Sequence, residues 1–171
     1  MFLRNFLRRR ALRRSLSKIP TAIIPITDIH SATVLMDAAD SSHEACAQAV
    51  QNYFKSEGVK VRIIYTCLKK LEKDFVPPVD RNATLFLEDV DWCGRPSLSR
   101  LSFIAGPESD LFISLTGENT YLSEFIASWF PARFKIGRFP LSVYDVVLDG
   151  REGQSQTEVF LSIENLFTKI K

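Results

Sequence analysis

Short apolar runs alternate along the chain with stretches of helical periodicity, and this alternation predicts strands and helices in turn. The runs that predict strands cover residues 32–37, 59–66, 83–90, 110–115, 132–137 and 144–149. Apolar residues at helical spacing follow the first, third, fourth and sixth of these runs. Strands that alternate with helices form parallel βαβ units with right-handed crossovers. We therefore expect an α/β protein with a three-layer, doubly wound, mostly parallel sheet of the Rossmann-like type.

Residues typical of helix ends mark the boundaries of the predicted helices. Ser41, followed three residues later by Glu44, matches a capping box, and Gly58 ends the same helix. Asn119 is expected to cap the helix after the fourth strand. The last helix is expected to begin near Ser155.

The first 19 residues are rich in Leu, Arg and Ala and contain no proline, which predicts an N-terminal basic helix. It carries two apolar stripes, displaced around the helix axis because three consecutive arginines interrupt the period. The first stripe consists of Phe2, Leu3, Phe6 and Leu7. Pro20 and Pro25 then predict an extended linker. We divide the chain into an Arg-rich amphipathic helical arm (1–19), a linker (20–32) and a single Rossmann-like α/β domain (33–171).

Charge is distributed unevenly between this arm and the rest of the chain. Seven of the 22 basic side chains and none of the 20 acidic ones lie in the first 20 residues, so the remainder carries a net charge of −5. The basic residues of the arm are Arg4, Arg8, Arg9, Arg10, Arg13, Arg14 and Lys18. A cationic arm on an anionic body is typical of a segment that seeks a polyanion, and we expect the arm to project from the body.

Four interpretations of the arm remain open. It docks on an anionic membrane surface with its first apolar stripe inserted, or it binds structured RNA or a ribonucleoprotein such as the ribosome through arginine–phosphate contacts. Alternatively, it is a cleaved organelle-targeting peptide, or it folds back on the body as a solubilising cap. Aromatic residues at the extreme start favour the membrane. We therefore predict a non-enzymatic binding or accessory protein, cytoplasmic or at the inner face of the membrane, with a protein partner also open.

Residues that carry common reaction chemistry are sparse. Cys46, Cys67 and Cys93 lie far apart without a CxxC pair, and we expect buried, inert thiols in a reducing compartment. His30 and His43 are the only histidines, and neither completes an evident acid–base pair. The GxGxxG, P-loop and GxSxG patterns are absent. We therefore expect no cofactor and no structural zinc site.

Carboxylates at the predicted strand ends are weak candidates for a magnesium site. They are Asp37, Glu88, Asp89 and Asp149. Helix capping or exposure to water explains them more simply than metal binding does. The turn after the first strand reads DAADSS, and it has two carboxylates and no glycine, which argues against a bound phosphate there.

A basic strip on the fifth predicted strand is a second candidate for ligand binding. Arg133, Lys135 and Arg138 alternate there with apolar residues. This pattern predicts either an anion-binding strip or a sheet edge that charged residues protect from mispairing.

One segment, residues 110–139, resembles a known family. The resemblance is carried by Asp110, Leu111, Leu115, Gly117, Ala132, Arg133, Lys135, Ile136 and Gly137. It looks like the strand, glycine turn, helix and A-R-x-(K/R)-I-G strand of the N-terminal Rossmann-like domain of bacterial heptosyltransferases (glycosyltransferase family 9). The resemblance implies a Rossmann-like body.

Two departures argue against transferase activity. The glycine-rich turn that carries the family's catalytic aspartate reads DAADSS here, and the chain offers no counterpart of the domain that grips the nucleotide sugar. A reduced glycosyltransferase-like enzyme, dependent on Asp37 and Asp149, is therefore an alternative only. The whole arrangement also resembles an uncharacterised group of small Bacteroidota proteins with a basic N-terminal helix, a resemblance that implies no function.

Overall fold

Six parallel strands form one sheet in the computed structural model, which describes residues 2–69, 79–118, 120–148 and 153–170. The strands are β1 (Ser31–Asp37), β2 (Lys60–Cys67), β3 (Thr84–Phe86), β4 (Ser109–Ser114), β5 (Ala132–Gly137) and β6 (Val146–Val147). Their order across the sheet is β3-β2-β1-β4-β5-β6, and every neighbouring pair is parallel. This is the order of a doubly wound Rossmann-like sheet, so the predicted fold class is confirmed.

Helices cover both faces of the sheet. They are α1 (Phe2–Ser15), α2 (His43–Ser56), α3 (Leu98–Ala105), α4 (Tyr121–Trp129) and α5 (Gln156–Lys169). Helices α2 and α5 pack on one face, and α3 and α4 pack on the other. Helix α1 lies outside α4 and adds a partial fourth layer.

Phenylalanine fills the core on both sides of the sheet. Phe54, Phe160 and Phe167 of the first helical layer are buried against the sheet, where Phe134 meets Phe167 edge to face. On the opposite face, Phe112 of β4 stacks on Phe130 with ring centroids 5.2 Å apart. Most of the Phe residues therefore serve the core, because their periodic positions face inward on strands and helices.

The helix starts differ in part from the expected ones. The box expected between Ser41 and Glu44 does not form, because the Asp40 carboxylate accepts hydrogen bonds from the backbone N and hydroxyl of Ser42, and α2 begins at His43. Thr120 caps α4, whereas Asn119 lies outside the described residues. Helix α5 begins at Gln156, close to the predicted start near Ser155, and Ser155 caps it.

Two of the strands are shorter than the sequence predicts. The predicted strand over 83–90 ends at Phe86, because Leu87–Asp89 forms a 3-10 turn. The predicted strand over 144–149 is reduced to Val146–Val147 at the sheet edge.

The segment predicted as a linker crosses the N-terminal edge of the sheet and enters the core. The backbone N of Ala22 donates to the carbonyl of Arg133, at the start of β5. Ile26 and Ile29 are buried in the core cluster under α2 and α5. The chain thus passes from the α4 side of the sheet to the α2 side before β1 begins at Ser31. This path holds the end of the arm against the body.

Candidate functional site

The arm lies along α4, so the expectation that it projects from the body is wrong. Half-buried Ala11 and Leu12 pack against the core cluster that includes α4. The Arg8 Nε donates to the carbonyl of Cys93 at 2.5 Å, and its guanidinium carbon lies 4.6 Å from the centre of the Tyr121 ring. The Tyr121 hydroxyl donates in turn to the carbonyl of Arg8 at 3.3 Å. One arginine of the arm is therefore used to hold the arm in place.

The C-terminal end of α4 receives two donors from elsewhere in the chain. The last carbonyls of a helix lack intrahelical donors, and Pro131 has no N–H to offer the Ala127 carbonyl. The Lys135 Nζ donates to that carbonyl at 2.7 Å, and the backbone N of Ser17, just after α1, donates to the carbonyl of Ser128 at 2.9 Å. The chain that follows α1 thus completes the helix on which α1 rests.

The side of α1 that faces away from the body carries both apolar and basic groups. We call it the outer face, and it consists of Phe2, Leu3, Phe6, Arg9, Arg10 and Arg13. Phe2, Leu3 and Phe6 are 88%, 63% and 53% exposed, so its first two turns are apolar. The arginines follow on the next two turns. A concave surface of about 500 Å³ lies among Phe6, Arg9, Arg10, Arg13 and Arg14.

Carboxylates of the body do not neutralise the arm within the part of the chain that the structure describes. The ion pairs there join Arg81 to Glu88, Arg95 to Asp91, Arg100 to Asp89 and Arg133 to Asp110. Arg4, Arg14 and Lys18 of the arm are exposed as well, and Leu7 is half-buried on the flank of α1. The arm is therefore docked through α4 yet keeps its positive charge available.

The basic residues predicted as a strip on β5 are not brought together on one accessible face. Arg133 is exposed and lies 3.1 Å from the Asp110 carboxylate. Lys135 is only 2% exposed, and its burial lowers its pKa from 10.5 to about 8. Arg138 is buried as well and donates through Nη2 to the carbonyl of Gln154 at 2.6 Å. Strand β5 lies between β4 and β6, and β6 pairs with its last two residues, Ile136 and Gly137.

A second, smaller crevice lies at the carboxyl ends of β1 and β4, where the strand order reverses. Its volume is about 210 Å³, and it is lined by Asp37, Ala39, Thr66, Leu68, Lys69, Thr116, Glu118 and Thr120. Ligands of doubly wound folds usually bind at this point. The Gln156 side chain holds the end of β1 in place, since it accepts from the backbone N of Asp37 at 2.7 Å and donates to its carbonyl at 3.0 Å.

The electrostatics of this crevice favour a polar ligand over a phosphate. Burial raises the pKa of Asp37 above its ordinary value, against the opposing effect of a hydrogen bond from Ala39 N. That amide is 2.8 Å from the Asp37 carboxylate and so is already used by the turn itself. Glu118 adds a second carboxylate, and Lys69 is the one cation among the described residues that line the crevice.

The described carboxylates among the magnesium candidates make other contacts in the structure. Asp89 accepts from the backbone N of Phe86 at 2.8 Å and faces Arg100, whereas Glu88 pairs with Arg81. Asp149 lies outside the described residues. Among the residues that are described, no three His, Cys, Asp or Glu side chains are grouped as metal ligands.

The three cysteines are free and buried, as the sequence predicts. Burial raises the pKa of the Cys46 thiol to about 12, and burial also raises that of Cys67. A thiol held in its protonated form is a poor nucleophile and a poor metal ligand. The cysteines therefore serve packing.

One comparison with known proteins bears on the identity of the chain. A family model described as a family of unknown function (DUF6913) matches residues 4–162. The chain belongs to this family. The match includes most of the arm, so α1 is part of what the family model describes.

The other comparisons add no relative. No curated protein and no solved structure matches the chain. No glycosyltransferase family matches either, so of the resemblance to heptosyltransferases only the Rossmann-like sheet is shown. Within the described residues, no helix has both the length and the apolar character that crossing a membrane requires.

Sequence reasoning did not single out the residues that receive the arm. Tyr121 is the first residue of α4, and Trp92, which is 68% exposed, lies outside every predicted strand and helix. No periodic signal marks either residue, because both contact or neighbour α1 only after the chain has folded. The exposed tryptophan was the one available hint, since a large aromatic side chain outside any predicted element is unusual at a surface.

Proposed function

We propose that this protein is a non-enzymatic accessory protein that docks peripherally on an anionic membrane surface through the outer face of α1. The observation that carries the proposal is the composition of that face. Two exposed phenylalanines and a leucine occupy its first turns, and arginines without carboxylate partners among the described residues follow them. An apolar group for insertion and a basic group for anionic lipid thus lie on one side of one helix.

The apolar and the basic residues of the outer face contribute comparable binding energies, and stable attachment needs both contributions. Full burial of a Phe or Leu side chain contributes about 1.5–3 kcal/mol, and partial insertion at the interface contributes less. A basic residue near an anionic leaflet adds about 1 kcal/mol. A single short apolar anchor gives only marginal, reversible binding, so stable attachment takes two signals. The outer face supplies both.

The charge of the body sets the orientation of the protein on the membrane surface. Beyond residue 20 the chain has a net charge of −5, and an anionic surface repels it. Because α1 lies outside α4, at the far side of one helical layer, the body can stay away from the lipid while the outer face inserts. At the cytoplasmic leaflet, whose lipids are anionic, attraction of the outer face and repulsion of the body favour the same orientation.

Flotation with vesicles of phosphatidylcholine and phosphatidylserine tests the proposal on the full chain. The double variant Phe2→Ser/Phe6→Ser is expected to lose most of the vesicle-bound fraction, because it removes two inserted side chains. Its matched control is Phe103→Ser/Leu161→Ser, which alters two exposed apolar residues of the body, 65% and 49% exposed. Equal flotation of the two double variants would refute insertion by the outer face.

A second pair of variants tests the charge. Arg9→Gln/Arg13→Gln is expected to weaken flotation about tenfold or more in low salt, whereas Lys55→Gln/Lys60→Gln changes the same net charge at exposed positions of the body and is expected to have little effect. The chief competing outcome is RNA binding. Retention of structured RNA that Arg9→Gln/Arg13→Gln abolishes, with no flotation of the wild type, would replace the membrane by nucleic acid as partner.

A further inference from the structure

A cleft separates the flank of α1 from the turn over residues 91–95 of the body. Its volume is about 360 Å³, and it is lined by Leu7, Arg10, Ala11, Arg14, Asp91, Trp92, Cys93, Arg95 and Tyr121. The helix and the turn thus contribute to it together, and it exists only because α1 is docked. The outer face adjoins it, since Arg10 and Arg14 line both this cleft and the concave surface described above.

The two walls of the cleft are held at a defined separation. Arg8 binds the carbonyl of Cys93 and stacks on Tyr121, which fixes α1 against the turn. Gly94 has φ of +81°, and a Cβ at this position would lie 3.1 Å from the Arg8 Nη2, so a larger residue there would strain the backbone and crowd the Arg8 guanidinium. The Asp91 carboxylate accepts from the backbone N of both Cys93 and Arg95 at 2.9 Å, which shapes the turn.

The charges in the cleft are unbalanced. Among the described residues, three guanidinium groups, those of Arg10, Arg14 and Arg95, line it together with a single carboxylate, that of Asp91. That carboxylate already accepts two backbone hydrogen bonds and one from the Arg95 Nε at 3.1 Å. The cleft therefore has a net charge of about +2 at neutral pH, and most of its guanidinium N–H groups are left for a ligand.

We propose that this cleft binds a phosphate group, with Arg10 and Arg14 on one side and Arg95 on the other. Guanidinium groups bind phosphate oxygens through paired, charge-assisted hydrogen bonds, and a dianionic phosphate monoester matches the net charge of the cleft. The phosphate is carried by a lipid headgroup or by a free small molecule. Exposed Trp92 at the cleft places an amphipathic ring where a lipid headgroup would sit, which favours the lipid.

The lipid version deepens the proposed function and rests on it, whereas phosphate binding by the cleft does not. Arg95 is the residue to change, because it lines the cleft but belongs to neither α1 nor the outer face. The backbone contacts that shape the turn go to Asp91 and survive an Arg95→Gln substitution. Arg81→Gln is the matched control, since Arg81 is likewise an exposed arginine paired with a carboxylate, away from the cleft.

Titration with inorganic phosphate and with glycerol phosphate, followed by calorimetry and tryptophan fluorescence, tests the cleft without a membrane. We expect saturable binding that Arg95→Gln weakens about tenfold and Arg81→Gln leaves unchanged. Trp92→Phe is expected to remove the fluorescence change while leaving the heat of binding. Absence of saturable binding, or equal loss in Arg95→Gln and Arg81→Gln, overturns the proposal.

Vesicles distinguish the two sources of phosphate. At matched surface charge, the full chain is expected to bind vesicles with phosphatidic acid several-fold more tightly than vesicles with phosphatidylserine, and Arg95→Gln is expected to remove that preference without changing phosphatidylserine binding. Soluble phosphate binding without this preference assigns the cleft to a free ligand and overturns the lipid version. Absence of all vesicle binding with soluble phosphate binding intact would instead refute the proposed function together with the lipid version, and phosphate binding by the cleft would stand.

Discussion

Replacement of Lys135 by Met is expected to change how the stability of this protein depends on pH. Lys135 is buried beneath α4, and its burial lowers its pKa from 10.5 to about 8. In the unfolded chain the same lysine titrates near its ordinary value of about 10.4. Between these two pKa values the unfolded chain binds one more proton than the folded protein does.

The direction and size of the effect follow from that difference. Stability rises with pH wherever the unfolded state binds more protons, so Lys135 disfavours folding below pH 8, and this penalty is relieved progressively as pH rises from about 8 to about 10.4. At 1.36 kcal/mol per pKa unit, the full shift corresponds to about 3 kcal/mol. Near pH 7 the substitution also removes the donor of the Ala127 carbonyl, which costs about 1–3 kcal/mol and offsets the relief from charge burial.

Urea unfolding at a series of pH values between 7 and 10, with a reductant for the free thiols, measures the effect. We expect the free energy of unfolding of Lys135→Met to lie within about 2 kcal/mol of the wild-type value at pH 7. Relative to the wild type, it should then decrease by about 2–3 kcal/mol between pH 7 and pH 10. Comparison of the two proteins at each pH cancels the titration of the cysteines and tyrosines that they share. Lys60→Met, at an exposed position, serves as control and should show a constant difference. A pH-independent difference for Lys135→Met would refute the assignment of a depressed pKa.

Two further predictions concern the arm and the sheet. Arg8→Ala removes the contacts to Cys93 and Tyr121 that hold α1 against the body. Amide hydrogen exchange in α1 should therefore be about tenfold faster in Arg8→Ala than in the control Arg9→Ala, which alters the outer face. Equal exchange rates in the two variants would contradict the docking role of Arg8. Gly137→Ala places a Cβ 2.1 Å from the Tyr144 ring and should lower the free energy of unfolding by about 2 kcal/mol or more in urea, whereas Gly117→Ala, with its nearest atom at 3.5 Å, should change it by less than about 1 kcal/mol.

Much of the fold was predictable because its signals are local. Each strand from β1 to β5 was predicted within a few residues from an apolar run, and the helix boundaries near Gly58 and Ser155 were predicted correctly. The errors arose where two local signals competed. Ser41 and Glu44 matched a capping pattern, yet Asp40 bonds to Ser42 instead, and either choice satisfies the local hydrogen-bonding rules.

The site was predictable only in its composition. The cationic arm and its apolar start could be read from the chain, but the face that each residue occupies depends on the contact of α1 with α4. Lys135 and Arg138 looked like surface charges from their alternation with apolar residues, yet both are buried, Lys135 against the end of α4 and Arg138 against the carbonyl of Gln154. Which segments cover a side chain depends on the packing of the layers, which periodicity does not encode.

The amino-acid sequence alone determined the alternating α/β architecture, the separation of charge between arm and body, and the absence of common nucleotide-binding motifs, because these depend on residue order over short distances. Only the tertiary structure decided that the arm is docked, that its outer face combines phenylalanine with arginine that no carboxylate of the described residues pairs, and that a cleft with three guanidinium groups opens beside it. The contact between Arg8 and Cys93 spans 85 residues of chain. Contacts between residues so far apart in the sequence form when hydrophobic burial brings the helices and strands together, and no local sequence pattern predicts them.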